Sequence, residues 1–218
     1  FGVAAERIAG VNRYDTAVFL AQATVDAQEE EGGEIENVFL ASGTDFPDAL
    51  TAGAAAAENN GVVLLTRGDE GLTLNTYQAI LGLTGDVPGQ VSTAAIGGPA
   101  ADAAEMGWEG NPVETDIDVV GDDRYETAVA VADEFFEDPD NLVVASGENF
   151  PDAVVGGAYA ANVDGALLLT RQASLTNATG DYIGSGLLNE VANVFVFGGP
   201  DSISRNVSEQ IGDLEWDY

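Results

Sequence analysis

The sequence predicts an α/β protein built from two tandem repeats, each a three-layer unit with a mainly parallel central sheet flanked by helices. Three observations predict it. The decapeptide ASGTDFPDAL at 41–50 returns as ASGENFPDAV at 145–154. Other segments return with it in the same order: GVNRYDTAVFLA (10–21) as GDDRYETAVAVA (121–132), GVVLLTR (61–67) as GALLLTR (165–171), and AIGGP (95–99) as VFGGP (196–200). Between these landmarks, short apolar runs alternate with stretches of helical period, the pattern of right-handed crossovers between parallel strands.

The spacing between copies falls along the chain: 111 residues separate Arg13 from Arg124, 104 separate Ala41 from Ala145, and 101 separate Gly97 from Gly198. Extra loop residues in the first copy, around EEEGGE (29–34) and TGDVPGQ (84–90), account for the drift, since polar glycine-rich loops tolerate insertion. The units are accordingly placed at 1–104 and 117–218, with a linker over 105–116.

Each unit opens with a helix, RYDTAVFLAQATV or RYETAVAVADEFF, whose apolar residues recur at helical spacing. NVFLAS and NLVVAS follow as strands rich in branched residues, each ending at a glycine. The next helices, PDALTAGAAAAEN and PDAVVGGAYAANV, start with Pro at the first helical position and Asp in the first turn. VVLLT and ALLLT are apolar without alternation, as strands covered on both faces should be. A weaker helix (LNTYQAILG; NATGDYIGSGLL) and a strand (STAAIGG; NVFVFGG) complete each unit. The small faces of ALTAGAAAA and AVVGGAYAA predict close packing against the sheet or the other copy.

Composition narrows the function. Apolar residues make up 45% of the 218, enough for a buried core. The charge is −32, with 38 acidic residues against 6 basic ones, all arginine. The acidic residues are spread through a well-patterned sequence, which points to adaptation to molar salt, where the Debye length drops below about 3 Å and self-repulsion is screened. The alternative is an acidic protein binding calcium or a basic partner. Such a charge excludes nucleic acid as a partner. No run of about 18 apolar residues predicts membrane insertion. The chain opens FGVAAERIAG, without basic leader or apolar h-region, so a signal peptide is expected to be removed or never present.

The repeated decapeptide admits two readings. In one it is a strand-to-helix joint: Gly43 and Gly147 allow a tight turn, Pro47 and Pro151 preset the helical φ, and Asp48 and Asp152 cap the first turn. Asp45 and Asn149 then stabilise the turn with local side-chain bonds. In the other reading Ser42, Ser146, Asp48 and Asp152 sit at the carboxyl edge of a parallel sheet, where α/β folds bind ligands. A serine nucleophile is excluded because the chain has neither His nor Lys to activate it, and the flanks are not GxSxG. A carboxylate pair, Asp45 with Asp48, is conceivable as acid and base, but Asp45 becomes Asn149 in the second copy.

Four of the six arginines form repeat-equivalent pairs, Arg13 with Arg124 and Arg67 with Arg171. They serve either as bidentate partners of a nearby carboxylate such as Asp48 or Asp152, or as donor forks for sugar or anionic polymer oxygens. Asn177-Ala-Thr and Asn206-Val-Ser are candidate N-glycosylation sites. No cofactor is indicated. GGPA and GGPD lack the spacing of nucleotide loops, and without His or Cys only oxygen sites for cations remain, none of which the sequence specifies.

Taken together, RIAGVNRYDTA (7–17), ASGTDFPDAL, VVLLT and AIGG, with second copies VVGDDRYETA (119–128), ASGENFPDAV, ALLLT and VFGG, resemble the cell-wall-binding repeat type 2 family. That family occurs in tandem in surface-layer and wall-anchored proteins. The resemblance spans nearly the whole chain and implies a non-catalytic module holding an extracellular, cell-surface protein to a surface polysaccharide or anionic wall polymer. It also implies that three repeats usually pack about a pseudo-threefold axis. The packing of two repeats would then be completed by further repeats of the same chain, by self-association, or not at all, and Arg7 has no counterpart, since Asp118 stands at the aligned position. The lysine-free acidic composition resembles that of halophilic archaea. The functions expected are thus an attachment module, then a self-assembling surface-layer or oligomerisation domain, then a carboxylate-dependent carbohydrate-active enzyme.

Overall fold

The computed structural model describes residue 5 and residues 7–85, 91–185 and 191–214. The first unit contains α1 (Arg13–Glu31), β1 (Asn37–Ser42), α2 (Pro47–Glu58), β2 (Gly61–Thr66), α3 (Leu74–Thr84), β3 (Ser92–Ile96) and α4 (Gly98–Met106). Then come β4 (Ile117–Val119), α5 (Arg124–Phe135), β5 (Asn141–Ser146), α6 (Phe150–Ala160), β6 (Gly165–Thr170), α7 (Asn177–Gly184), β7 (Asn193–Phe197) and α8 (Arg205–Gly212).

Local chemistry sets the helix ends. Asn12 caps α1 by accepting the Asp15 N–H, and Asp123 caps α5 by accepting those of Tyr125 and Glu126. The EEE expected in a loop is instead the last turn of α1. Gly32, at φ 81°, stops the helix, its N–H directed at the carbonyls of Gln28 and Glu29. Glutamate is a good helix former, so part of the insertion lengthens the helix, to 19 residues against 12 in α5. Most of the second predicted insertion, at 86–90, lies outside the described residues.

Both sheets are parallel, in the orders β2-β1-β3-β4 and β6-β5-β7. The copies agree in detail: Thr76 and Thr179, both buried, donate to the carbonyls of Leu65 and Leu169 at 3.3 and 2.6 Å. One strand crosses the expected boundary. β4, which alignment puts at the start of the second unit, adds to the outer edge of the first sheet, with Ala94, Ala95 and Ile96 opposite Ile117, Asp118 and Val119. The expected linker is also partly structured, since α4 runs to Met106 and Trp108 bridges Asn111.

Alternation along β1 separates two cores. Val38 and Leu40 join Leu64, Ala95 and residues of α1, α3 and α4 on one face. Phe39 and Ala41 face α2 and belong to a larger cluster continuous with the second unit. The small residues of α2 permit this: Ala52, Ala54, Ala55 and Ala56 are buried between the units, and Gly157 of α6 lies against the Leu50 carbonyl. Phe39 meets Phe135 edge to face at 4.8 Å across the junction.

Comparison of aligned positions shows which surfaces this junction uses. Thr51 on α2 is 1% exposed, whereas Val155, its counterpart on α6, is 59% exposed; Val131 on α5 is 1% exposed, whereas Leu20 on α1 is 56% exposed. Likewise β3 carries β4 on its edge, while among the described residues β7 has no outer neighbour, and residues 7–10, aligned with β4, form no strand.

Candidate functional site

The repeated joints lie at the carboxyl ends of β1 and β5. Ser42 and Ser146 are the last strand residues, 2% and 1% exposed. The Ser42 hydroxyl bonds the Thr44 hydroxyl at 2.8 Å and accepts the Thr44 N–H, while Ser146 accepts the Glu148 N–H at 3.2 Å. Both hydroxyls therefore serve the turn itself. Glycine follows because a tyrosine ring lies against the backbone. A Cβ on Gly43 would stand 2.6 Å from the Tyr14 ring, and one on Gly147 would stand 2.7 Å from the Tyr125 ring. The conserved pairing of Arg-Tyr with Ser-Gly between copies has this physical origin.

The arginines beside those tyrosines fasten the same loops. Arg13 donates to the Gly43 carbonyl at 2.5 Å, and Arg124 donates to the Gly147 carbonyl at 2.7 Å. Arg124 does more. Its second nitrogen reaches Asp45 of the first unit at 3.0 Å, and its guanidinium lies 5.9 Å from the Phe46 ring. Phe46 in turn meets Phe150 at 5.8 Å. The expectation that Asp48 or Asp152 would pair with an arginine is corrected here. The carboxylates used are Asp45 by Arg124, Glu70 by Arg67 at 3.7 Å, and Asp123 by Arg171 at 4.0 Å. Helix starts and loop tips bring those groups together, whereas Asp48 is turned toward the glycine corner after β3.

That corner explains Asp48. Gly97 leaves β3 at φ 82° and donates its N–H to Val119 of β4, and its missing side chain leaves room for the Asp48 carboxyl. Burial, then the charge of Asp45, pushes the Asp48 pKa up to about 6 against the opposing pull of Arg124. Asp152 repeats the placement against Gly198. No side-chain cap from Asn149 to the start of α6 forms, while Asp45 does accept the Phe46 N–H at 2.9 Å.

Arg67 donates to the Glu70 carbonyl at 2.7 Å and leaves its buried Nε without a partner among the described residues. Arg171 is half exposed, its guanidinium 5.2 Å from the Tyr125 ring. A depression of about 370 Å³ runs between Arg13, Thr44, Asp45, Phe46 and Leu65 at this edge. Asn177 and Asn206, the sequon asparagines, are both exposed in the first turns of α7 and α8. Among the described residues no cluster of three or more acidic side chains is arranged to hold a metal ion, and no helix is long and apolar enough to cross a membrane.

Residues 7–104 and 119–208 each match cell wall binding domain 2, CWB2. The chain belongs to the CWB2 family. Its sequence is 26% identical over 210 residues to the N-acetylmuramoyl-L-alanine amidase LytC of Bacillus subtilis, covering 96% of this chain and 38% of that protein. Among solved structures it resembles Cwp6 from Clostridium difficile, with a TM-score of 0.76 at 21% identity, covering 95% of this chain and 31% of that one. It also resembles Cwp8 from Clostridium difficile, with a TM-score of 0.71 at 18% identity, covering 95% and 33%. The chain thus spans about a third of the length of each relative. The matched segments begin at Arg7 and Val119, so β4 falls on the boundary of the second CWB2 repeat while completing the sheet of the first.

Arg124 is one of the polar links between the two CWB2 units, alongside the Asn59 side-chain N–H donating to the Phe135 carbonyl at 2.9 Å, and its removal has a measurable signature. Arg124→Ala is expected to destabilise the protein by about 1–2 kcal/mol in dilute buffer and by less in molar salt. The Asp45 pair is half exposed and screened, whereas the bond to the Gly147 carbonyl and the ring contacts are not. Denaturant midpoints at two salt concentrations check it, and an effect independent of salt would assign the whole contribution to packing.

Proposed function

We propose that this pair of CWB2 units is a non-enzymatic attachment module that holds a larger extracellular protein to a surface polysaccharide or anionic polymer of the cell envelope. The observation that carries the reading is the family match over both units. The chemistry agrees: the chain has no His, Lys or Cys, and its repeated serines are committed to turns. At a net charge of −32, long-range attraction to an anionic polymer is absent, so contact is short-range, through arginine forks, backbone donors or bridging cations. Arg67 and Arg171 are the ligand-facing pair in this reading, with Arg13 and Arg124 holding the edge in shape. The same composition fits a halophilic cell surface, where salt screens self-repulsion.

The test is co-sedimentation with isolated envelope. Wild type should pellet, and Arg67→Ala with Arg171→Ala should reduce binding by roughly tenfold or more, the loss of two charge-assisted bonds. Wild type remaining in the supernatant sinks the reading. A second reading, self-assembly in a surface layer, is favoured by exposed Leu20 and Val155, whose counterparts are buried between the units, and by the edge of β7, which has no outer neighbour among the described residues. Further repeats of the same chain or a second copy would cover these faces. Sedimentation velocity in about 2–4 M salt separates the cases, because a monomer argues against self-assembly of this chain.

A further inference from the structure

The two units differ most between their first and third helices. In the second unit Phe136, which follows α5, and Tyr182, on α7, are buried in one core cluster, each 6% exposed. Burial, then the charges of Asp133 and Asp138, raises the Tyr182 pKa, consistent with a ring running from α7 toward α5. Alignment on the buried Thr76 and Thr179 places Ala79 where Tyr182 stands, and alignment on Arg13 and Arg124 places Val25 opposite Phe136 and Gln22 opposite Asp133. The first unit therefore lacks two rings that the second one has. It has not collapsed around the loss: a cleft of about 550 Å³ remains between α1 and α3.

The cleft carries polar groups that the second unit does not. Asp15 is 7% exposed, and its Oδ1 accepts the Asn75 side-chain N–H at 2.8 Å. Their counterparts are Glu126, exposed and bonded to the Asp122 N–H, and Ala178. Gln22 and Gln78 add amides at the rim, and Phe19, 52% exposed, supplies an apolar wall. Phe19 and Gln22 also border a second depression of about 450 Å³ on the far side of α1. A carboxylate with an amide bonded to it, and further exposed amides beside apolar walls, suit a compact ring bearing several hydroxyls, and a buried, already bonded Asp15 loses little freedom on binding. No arginine lines the cleft between α1 and α3, so in a protein of charge −32 a phosphate, sulfate or carboxylate has no counter-charge there.

We infer that the cleft between α1 and α3 is a subsite for an uncharged pyranose ring of an envelope glycan, taking its hydroxyls on Asp15, Asn75, Gln22 and Gln78. The inference rests on the glycan-binding reading above and moves part of that binding away from the arginine edge. The first unit thus holds the ligand where the second holds its own aromatic side chains.

The second unit supplies the blocking variant. Val25→Phe with Ala79→Tyr installs the two rings in the first unit, where the same helix pair has them in the second, and Asn75→Ala removes one amide without filling the space. Calorimetric titration of the full chain uses neutral oligosaccharide fragments released from the isolated envelope. Wild type should bind, the ring-filled variant should weaken binding by roughly thirtyfold or more, and Asn75→Ala by roughly tenfold. Each variant is compared at an unchanged denaturation midpoint; if the ring-filled variant fails to fold, Asn75→Ala decides alone. Equal affinity of the folded variants and wild type overturns the subsite. Retention of wild type on whole envelope without any affinity for neutral fragments also overturns it while leaving attachment standing. Failure of wild type to be retained at all overturns both.

Discussion

Gly97→Ala is expected to destabilise the protein by about 3 kcal/mol or more, read as a lower denaturant midpoint at unchanged slope. Two costs add. Gly97 sits at φ 82° and ψ 150°, a region that residues with a side chain occupy only under strain of about 1–3 kcal/mol. An added Cβ would also stand 2.0 Å from the Asp48 carboxyl oxygen, so either the carboxyl or the chain must move. Movement of the chain is costly because the Gly97 N–H donates to Val119 at 2.9 Å and so fixes β4 on the sheet edge. Combining Gly97→Ala with Asp48→Ala should relieve the clash and leave the backbone strain, giving an effect smaller than the sum of the two. Simple additivity would show that the carboxyl does not limit the site. Gly198→Ala should also be destabilising, since a Cβ there would stand 2.8 Å from both an Asp152 oxygen and the Ser202 Cβ at φ 126°.

The example shows what kind of information the sequence held. The GGP corners, the Arg-Tyr helix starts and the Ser-Gly turns were all visible as repeats, because each is a local solution that both units need. Their partners were less visible. That a tyrosine forces the loop glycine is a contact between segments about thirty residues apart, as in Tyr14 with Gly43. Nothing local in the decapeptide says that Asp45, and not Asp48, meets Arg124, since that pair crosses from one unit to the other over 79 residues. Helix α4 escaped because its opening Gly-Pro reads as a turn, although Pro early in a helix is favourable, and α8 escaped because its eight residues follow a further loop after the GGP corner. The crossing of β4 escaped for a related reason: alignment assigns a strand to the copy it resembles, while hydrogen bonding assigns it to the sheet with a free edge.

The cleft between α1 and α3 carries the same lesson further. Ala79 and Val25 are unremarkable in a helix, and only their alignment with Tyr182 and Phe136 reveals missing volume. Duplication provides an internal reference in which one unit reports the space that the other leaves open. The exposed Leu20 and Val155 are read the same way, against Val131 and Thr51.

Asp48→Asn is expected to stabilise the protein by about 1–2 kcal/mol at pH 8 and to have almost no effect at about pH 3. In the folded protein the Asp48 pKa is raised from 3.8 to about 6, with burial the largest cause and the charge of Asp45 the next. A carboxyl whose pKa is raised on folding binds protons more readily in the folded state, so between these values stability increases as pH falls. Above pH 6 the ionised group is a standing cost, at most about 3 kcal/mol for a shift of this size, and less after relaxation around a carboxyl that keeps some water contact. Well below pH 3.8 the group is protonated in both states and the cost is gone. An amide mimics the protonated carboxyl, which is why the variant should resemble wild type at low pH and exceed it at high pH. With so many other carboxylates titrating over the same range, the pH profile of wild type alone is uninformative; the difference between variant and wild type isolates Asp48. Molar salt divides that difference further. The share arising from Asp45 is screened, whereas the share arising from burial persists, so most of the difference should survive high salt. A difference constant from pH 4 to pH 8 would reject a buried, proton-linked Asp48 and leave only packing against Gly97 to explain its recurrence as Asp152.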